Sequence, residues 1–296
     1  HVINFLSHYE RISGQRINRN KSSLIFPRKC KASKKRPIKQ LTGMLDHPLP
    51  FYYLGIPLTL GWRDHQSYNG LFEKVSHRIH NWANLWLSSG GKIVLINSVL
   101  SSIPLYLFQA IHPPNWVISK LESMFANFFW GSSNGSKSTH WASWKKLCLP
   151  IEEGGVGFKS LKDVATTFDI KLWWRFRSEP SLLSDFLHTK YLKGQHPAVA
   201  SLTHHSSPLW KRLLRARDKA EGFIFFGLGR GDINFWFDQW LPMGPISAHA
   251  PIHQPNLSVH ELWIGQHWNV NLLKTLIPTD LLNAILPLRV DPTKQD

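Results

Sequence analysis

The stretch Trp86–Pro104, WLSSGGKIVLINSVLSSIP, decides how the rest of the chain is interpreted. Its first two serines can cap a helix, and the two glycines that follow let the chain turn sharply into it. Apolar residues then recur at helical spacing, at positions 93, 96, 100 and 103. Pro104 removes a backbone donor, so we expect the helix to end or kink there.

Lys92 lies in the first turn of this predicted helix, beside backbone N–H groups that have no helical partner. A cation is disfavoured at that end of the helix dipole, so one interpretation is an anionic partner beside Lys92. The other is a core helix with a solvated lysine, and the stretch by itself favours that second interpretation.

The composition indicates a globular, strongly basic protein. The 296-residue chain has 35 basic and 19 acidic residues, a formal net charge of +16. Such an excess indicates a polyanionic partner, nucleic acid before a membrane surface. Hydrophobic residues make up 43%, enough for a core, which excludes general disorder. Fourteen tryptophans can fill that core or stack on unpaired bases, and the core explains most of them better.

Cys30 and Cys148 are the only cysteines. Without a CxxC pair a zinc ribbon or finger is excluded, and two isolated thiols fit a reducing compartment. No apolar run approaches 18 residues, so we expect no transmembrane helix. The chain starts at His1 without a signal-peptide layout, so we expect a fragment that is not secreted, in the nucleus or the cytoplasm.

Positive charge is concentrated at the start of the chain. Against Glu10 alone, the first forty residues contain eleven cations, which are Arg11, Arg16, Arg19, Lys21, Arg28, Lys29, Lys31, Lys34, Lys35, Arg36 and Lys39. The densest run, from 28 to 39, is typical of phosphate-binding, nuclear-localising or merely solvated segments. A nucleic-acid role and a solvated face are equally good interpretations of it.

Hydrophobic spacing predicts a mostly helical chain with small β elements. Helices are expected over 5–13, 64–87, 88–103, 117–130, 160–178, 180–192, 208–220 and within 259–288. A strand is expected over 23–26, a turn at Gly55-Ile56-Pro57, a β-hairpin over 223–238 and a linker over 242–256. Trp and Arg residues alternate over 173–177. Tryptophans in the core with arginines at its rim explain this pattern better than tryptophans stacked on bases with arginines on phosphates. On the 208–220 helix, Arg212 is expected on the exposed side.

No stretch announces a catalytic centre. Gly154–Gly157 superficially resembles a phosphate loop but lacks the full GxGxxG, so we predict a structural turn. Asp232 and Asp238 suggest a metal pair, but six strand residues span about 20 Å, which favours turn chemistry instead. The histidines form no Ser–His–Asp or Cys–His set.

Several motifs follow one another along the chain, and the ordered set is far more specific than any one of them. They are Ser13–Asn18 with Lys21-Ser22, Tyr53–Leu58, Trp82, Leu87–Lys92 with Leu95-Ile96 and Ser98–Leu100, Ile103–Tyr106, Phe128–Gly131, His140-Trp141 with Trp144, Glu153–Gly157, and Gly229 with Phe235-Trp236 and Asp238–Trp240. Together they resemble the reverse transcriptase of plant LINE-type (non-LTR) retrotransposons, over about residues 1–240. Proteins of this type are often named ribonuclease H proteins or reverse transcriptase zinc-binding domain proteins.

The resemblance implies a partial polymerase. Residues 1–62 would be the late palm with its primer-grip hairpin, 63–198 a helical thumb and its extension, and 199–296 a connector to a missing zinc-binding domain. The aspartate turn that binds Mg²⁺ in the parent polymerase would precede Ser13, so we expect no catalytic residue, metal site or cofactor in this fragment. The predicted nucleic-acid contacts are Lys21, Arg28, Lys29, Lys34, Lys35, Arg36, Tyr53, Leu54, Gly55 and Lys92.

We therefore expect the template–primer-binding part of an RNA-directed DNA polymerase, inactive by itself. Its partner would be an RNA–DNA or duplex nucleic acid and not a membrane. The alternatives are a sequence-independent nucleic-acid-binding module without catalysis and a decayed element product without function. The hairpin at 53–58 should leave an apolar face exposed where the rest of the palm belongs.

Overall fold

The computed structural model describes residues 1–27, 29–49, 51–58, 65–83, 87–131, 139–291, 293, 294 and 296. This part of the chain is mostly helical with small two-stranded sheets, which confirms the prediction of a mainly α chain with small β elements; the palm, thumb and connector stay predictions. It forms two compact units, His1–Lys159 and Ser160–Asp296. The predicted division into 1–62, 63–198 and 199–296 stays a prediction, and its borders differ from the border between the units.

The first unit begins with small elements. They are α1 (Val2–Ser13), β1 (Ser23–Leu24), α2 (Ala32–Thr42), β2 (Leu45–Asp46), β3 (Phe51–Tyr53) and β4 (Ile56–Leu58). β1 pairs with β2 in parallel across α2, and β3 pairs with β4 antiparallel. The predicted strand over 23–26 has only two residues. Helix α2 was not predicted, because four cations and Pro37 made its sequence look like a solvated charge run.

The helical part of this unit follows. Its elements are α3 (Asn69–Ala83), α4 (Ser89–Ser98), α5 (Leu105–Ala110), α6 (Asn115–Trp130) and α7 (Trp144–Leu147). Helices α3 and α4 both pack against α6. The helix predicted over 64–87 is shorter in the structure, because a 3₁₀ turn, His65–Tyr68, precedes α3. The end of that prediction, 84–86, falls outside the described residues.

The deciding stretch begins as predicted, but its α-helix, α4, ends at Ser98 and not at 103. The Ser88 hydroxyl accepts a hydrogen bond from the Gly91 N–H at 3.2 Å, which caps α4. Ile96 and Leu100 are fully buried. Pro104 separates a 3₁₀ turn, Leu100–Ser102, from α5, so the predicted break is confirmed.

Among the described residues, one segment, Ser89–Ala110, meets the length and composition criteria for a membrane span. By length and composition alone it is apolar enough to cross a membrane, because Lys92 is its only charged residue. The search for uninterrupted apolar runs missed it, since serines, glycines and Pro104 punctuate the segment. In the structure it consists of α4, a 3₁₀ turn and α5, and α4 packs against α6 as a core helix does.

The glycine turn after α7 is structural, as predicted. The N–H groups of Gly155 and Gly157 donate to the carbonyls of Pro150 and Leu149, so neither is directed at a ligand. A Cβ on Gly155 would lie 1.9 Å from the Leu149 carbonyl oxygen. Only glycine fits this close approach of two backbone segments.

The second unit contains five α-helices and two strands in its described residues. They are α8 (Leu161–Ser178), α9 (Leu182–Leu187), α10 (Pro208–Glu221), β5 (Trp263–Ile264), β6 (His267–Trp268), α11 (Val270–Leu276) and α12 (Thr279–Ile285). Helices α8 and α10 pack side by side around the fully buried Trp173 and Trp210. A second cluster forms around Phe235, Trp236 and Trp240.

Three predictions for this unit are wrong. Residues 223–238 form no β-hairpin: Asn234 makes one isolated bridge to Ser258, and its side chain accepts the Trp236 and Phe237 N–H groups in a tight turn. The aromatic pattern there reflects burial rather than strand alternation. The predicted linker over 242–256 lies inside one compact unit and anchors Ile246 and Ala250 in its core, while residues 251–256 are exposed. The helical pattern over 259–288 contains the β5–β6 hairpin before two short helices.

Candidate nucleic-acid interface

The small β1–α2–β2 arrangement positions the basic residues. Its parallel register pairs Ser23 with Leu45, so the chain entering β1 lies beside the chain leaving α2. The guanidinium of Arg19 accordingly lies against Gly43, 3.4 Å from where a Cβ would stand. Gly43 ends α2 in the left-handed region, at φ 66°. Cations before β1 and cations on α2 therefore share one region of the surface.

Most of the predicted basic contacts are exposed. The side chains of Lys21, Lys29, Lys34 and Arg36 are open to solvent. Lys35 is different: its Nζ lies 3.4 Å from an Asp46 carboxylate oxygen and 5.2 Å from the centre of the Phe26 ring. Arg28 lies outside the described residues.

The acidic residues of this segment are already engaged. Residues 1–58 contain two acids, Glu10 and Asp46. Glu10 accepts the Ile17 N–H at 2.7 Å, and Asp46 pairs with Lys35. Asp46 thus neutralises Lys35, and Glu10 is the one remaining acid against the other cations of residues 1–58, which leaves a strongly positive surface.

The lysines in the first turn of α2 lie at the positive end of the helix dipole. No acid lies in its first turn, where Lys34 and Lys35 stand, and Lys31 at the N-cap offers no side-chain cap. Each cation near a helix N-terminus is unfavourable by about 0.3–1 kcal/mol at low salt. A phosphate beside this turn would offset that cost.

The tip of the β3–β4 hairpin is strained and exposed. Its two central residues are Leu54 and Gly55, with φ of 49° and 79°. Positive φ at both positions fits a type I′ turn, which normally takes Asn-Gly or Gly-Gly. The turn lies one residue earlier than predicted, and Ile56-Pro57 belong to β4. Tyr53 and Leu54 are 62% and 72% exposed, which confirms the expected exposed apolar face of the hairpin.

Helix α5 supports this tip. The Tyr106 hydroxyl donates to the Leu54 carbonyl at 2.6 Å. This bond joins two motifs of the resemblance, Tyr53–Leu58 and Ile103–Tyr106, which are 52 residues apart at the bonded atoms. The hairpin is therefore fixed to the helical part of the unit.

Lys92 has an internal partner. Its Nζ donates to the Phe129 carbonyl at 3.3 Å and lies 5.9 Å from the centre of the Phe128 ring. The ammonium thus complements the negative end of α6. Lys92 is therefore not simply solvated, and its ammonium is bound at the end of α6 rather than left free beside the first turn of α4. A contact between Lys92 and nucleic acid stays a prediction.

The second unit contains a buried ion-pair network that the sequence did not reveal. Arg177 pairs with Asp238, and its Nε lies 3.1 Å from Glu221. His196 accepts the Ala198 N–H at Nδ1, and its Nε2 lies 3.2 Å from the Asp238 carboxylate and 3.2 Å from Nη1 of Arg177. Burial would raise the pKa of the Asp238 carboxyl, but the His196 hydrogen bond and the Arg177 charge together hold that pKa below its usual range.

Two further predictions are corrected here. Arg177 and Arg212 are buried in ion pairs, with Asp238 and Asp169 respectively, and are not exposed rim residues. Arg212 has the same helical spacing as Leu209, Ala216 and Ala220, a signal that could have placed it on the buried face. Asp232 is exposed and pairs with Arg230 at 3.3 Å, so it does not share a metal with Asp238.

Among the described residues, no group of three or more His, Cys, Asp or Glu side chains is arranged to bind a metal ion. Two-metal phosphoryl chemistry requires clustered carboxylates. The residues present therefore do not fit the Mg²⁺ site of a polymerase.

The chain is similar to a protein of Arabidopsis thaliana named "Putative ribonuclease H protein At1g65750". The two sequences are 29% identical over 213 residues, which is 69% of this chain and 34% of the relative. The chain spans about a third of the length of that relative. No family model matches the sequence.

Proposed function

We propose that this chain binds a template–primer duplex, as part of the reverse transcriptase of a LINE-type retrotransposon, without performing polymer synthesis itself. The observation that carries the proposal is the acid-poor surface of residues 1–58. There, exposed cations lie on and beside α2, and the only two acids are engaged internally. Phosphate contacts of this kind position a protein on a duplex without reading its sequence.

Two further observations support it. The hairpin tip presents an exposed tyrosine and leucine on a strained turn fixed by Tyr106. A relative named as a putative ribonuclease H protein aligns with 69% of the chain. The described residues offer no carboxylate cluster, so the proposed role is binding rather than catalysis.

The first experiment measures binding of the full chain to a labelled RNA–DNA hybrid between 50 and 200 mM salt. With four phosphate contacts, from Lys21, Lys29, Lys34 and Arg36, the slope of log K against log salt is about −3.6. Affinity then falls about 100-fold over this range. Binding that does not respond to salt would refute the proposal.

A matched pair of variants localises the interface. Lys34→Gln with Arg36→Gln removes two exposed charges from α2 and should bring the slope close to −1.8. Lys211→Gln with Lys219→Gln removes two exposed charges from α10, which lies in the other unit, and should leave the slope unchanged. Equal effects of the two double variants would mean that net charge, and not α2, determines binding.

The remaining alternatives have their own readouts. Primer extension on an RNA template with Mg²⁺ should give no incorporation, and clear incorporation would overturn the inactive assignment. A decayed product without function should show neither a cooperative melt by circular dichroism nor hybrid binding. A module without LINE ancestry would bind the hybrid equally well, and the genomic sequence upstream of His1 distinguishes it by encoding no aspartate turn.

A further inference from the structure

The loop Gly229–Asp232 in the second unit binds a carboxylate with its backbone. The N–H groups of Gly229 and Gly231 donate to Oδ1 of Asp296 at 2.7 and 2.9 Å. The Asp232 N–H donates to Oδ2 of the same side chain at 2.6 Å. Backbone N–H groups that converge on one acceptor form an anion-binding nest, the device that binds phosphate in many proteins.

The loop is held in this shape from its other side. Gly231 has φ of +82°, and a Cβ there would lie 2.8 Å from the His260 backbone nitrogen. The His260 N–H donates to the Gly231 carbonyl at 2.8 Å. Because these contacts do not involve Asp296, the nest should persist when the Asp296 carboxylate leaves.

Without the Asp296 carboxylate the charges around the loop would balance, because each of the two remaining carboxylates is paired with an arginine. The loop borders a cavity of about 430 Å³ that is also lined by Arg177, His188, His196 and Arg230. The other two carboxylates at this cavity are paired, Asp238 with Arg177 and Asp232 with Arg230. The Asp296 carboxylate is the one that faces the backbone N–H groups.

We propose that the loop Gly229–Asp232 is a phosphate-binding site and that Asp296 is an internal competitor that occupies it. A phosphate presents the same pair of oxygens to the three N–H groups and additional oxygens to the cavity. Free phosphate and a phosphodiester share this chemistry. The site is in the other unit from α2 and does not depend on the proposed function.

The test uses full chain labelled with ¹⁵N-glycine and follows the Gly229 and Gly231 amide signals. Sodium phosphate is titrated at constant ionic strength into wild type, Asp296→Ala and the charge-matched control Asp280→Ala, whose carboxylate is exposed on α12. In Asp296→Ala both signals should shift saturably, with a midpoint about tenfold below that of wild type if the carboxylate occupies the nest nine-tenths of the time. Asp280→Ala should match wild type.

A second titration uses a short single-stranded oligonucleotide at equal phosphate concentration. A shift with phosphate alone assigns the site to small phosphate ligands, and a shift with the oligonucleotide assigns it to a nucleic-acid backbone. If neither anion moves the two glycine signals in Asp296→Ala, or if Asp280→Ala gives the same gain as Asp296→Ala, the proposal is wrong.

Discussion

The backbone conformation of Leu54 gives a prediction with a definite sign. A non-glycine residue in the left-handed region costs about 1–2 kcal/mol, and Leu has no polar side chain to compensate there. Because its side chain is 72% exposed, its truncation forfeits only about a quarter of the 1.5–3 kcal/mol that full burial gives. Asn adopts this conformation readily. Leu54→Asn should therefore stabilise the first unit by about 0.5–1 kcal/mol.

Leu41 provides a matched control for this substitution. Its side chain is 71% exposed, but it lies in α2, where φ is negative. Leu41→Asn should cost a few tenths of a kcal/mol, through the lower helix propensity of Asn. Urea unfolding followed by circular dichroism measures both, and a stabilisation of 1 kcal/mol raises Tm by about 2–4 °C in a unit of this size. If Leu54→Asn is destabilising, or the two variants shift alike, the conformation of Leu54 is not strained.

The same variant separates stability from binding. Strain of this kind persists where the surrounding structure enforces it, often at sites that contact a ligand. If Leu54 contacts the duplex, Leu54→Asn should weaken hybrid binding and leave the salt slope unchanged, because no charge is removed. A more stable variant with unaltered affinity would remove the hairpin tip from the interface.

Three further predictions concern the contacts that hold the units together internally. Asp238→Asn should lower the free energy of unfolding by about 3 kcal/mol. A carboxyl with a depressed pKa contributes stability above about pH 4 that is lost as pH falls, so the free energy of unfolding of the variant should depend less on pH in the acid range. Urea unfolding at several pH values measures this, and an acid dependence equal to that of wild type would contradict it. Gly155→Ala should abolish cooperative melting of the first unit. The control Gly154→Ala, at φ +80° with open space around its Cβ position, should cost about 1–2 kcal/mol. Similar melting curves for the two variants would show that the Leu149 carbonyl does not approach Gly155 as closely as the structure has it. Tyr106→Phe should lower the free energy of unfolding, measured by urea denaturation, by about 1 kcal/mol. An unchanged free energy would show that the hairpin does not need this hydrogen bond.

The sequence predicts the helical core of the first unit because local signals and burial agree there. Ser88 is a good cap and the apolar spacing is helical, so the start of α4 follows from local chemistry, and Pro104 marks the break before α5. The loop at Gly155 was also predictable as a turn. The reason for its glycine was not, because it depends on the carbonyl of Leu149 approaching from another segment.

The buried network of the second unit was not predictable from local signals. Arg177 is 61 residues from Asp238, and Arg212 is 43 residues from Asp169. An arginine on an amphipathic helix is ordinarily exposed, and only the positions of distant carboxylates make its burial favourable. The hairpin predicted over 223–238 failed for a similar reason. Its alternating aromatic residues pack into a core around an Asn234 turn instead of forming a ladder.

These pairings change the meaning of the net charge of +16, from which a polyanionic partner was first inferred. Arg177, Arg212 and Lys35 are each paired with a carboxylate, so they contribute little to the field that an approaching polyanion meets. The charge that remains effective is that of exposed residues without nearby acids. In residues 1–58 both acids are engaged, so α2 and its flanking turns attract phosphate more strongly than composition alone implies. The distribution of charge, and not its total, therefore selects α2 as the place to look for bound nucleic acid.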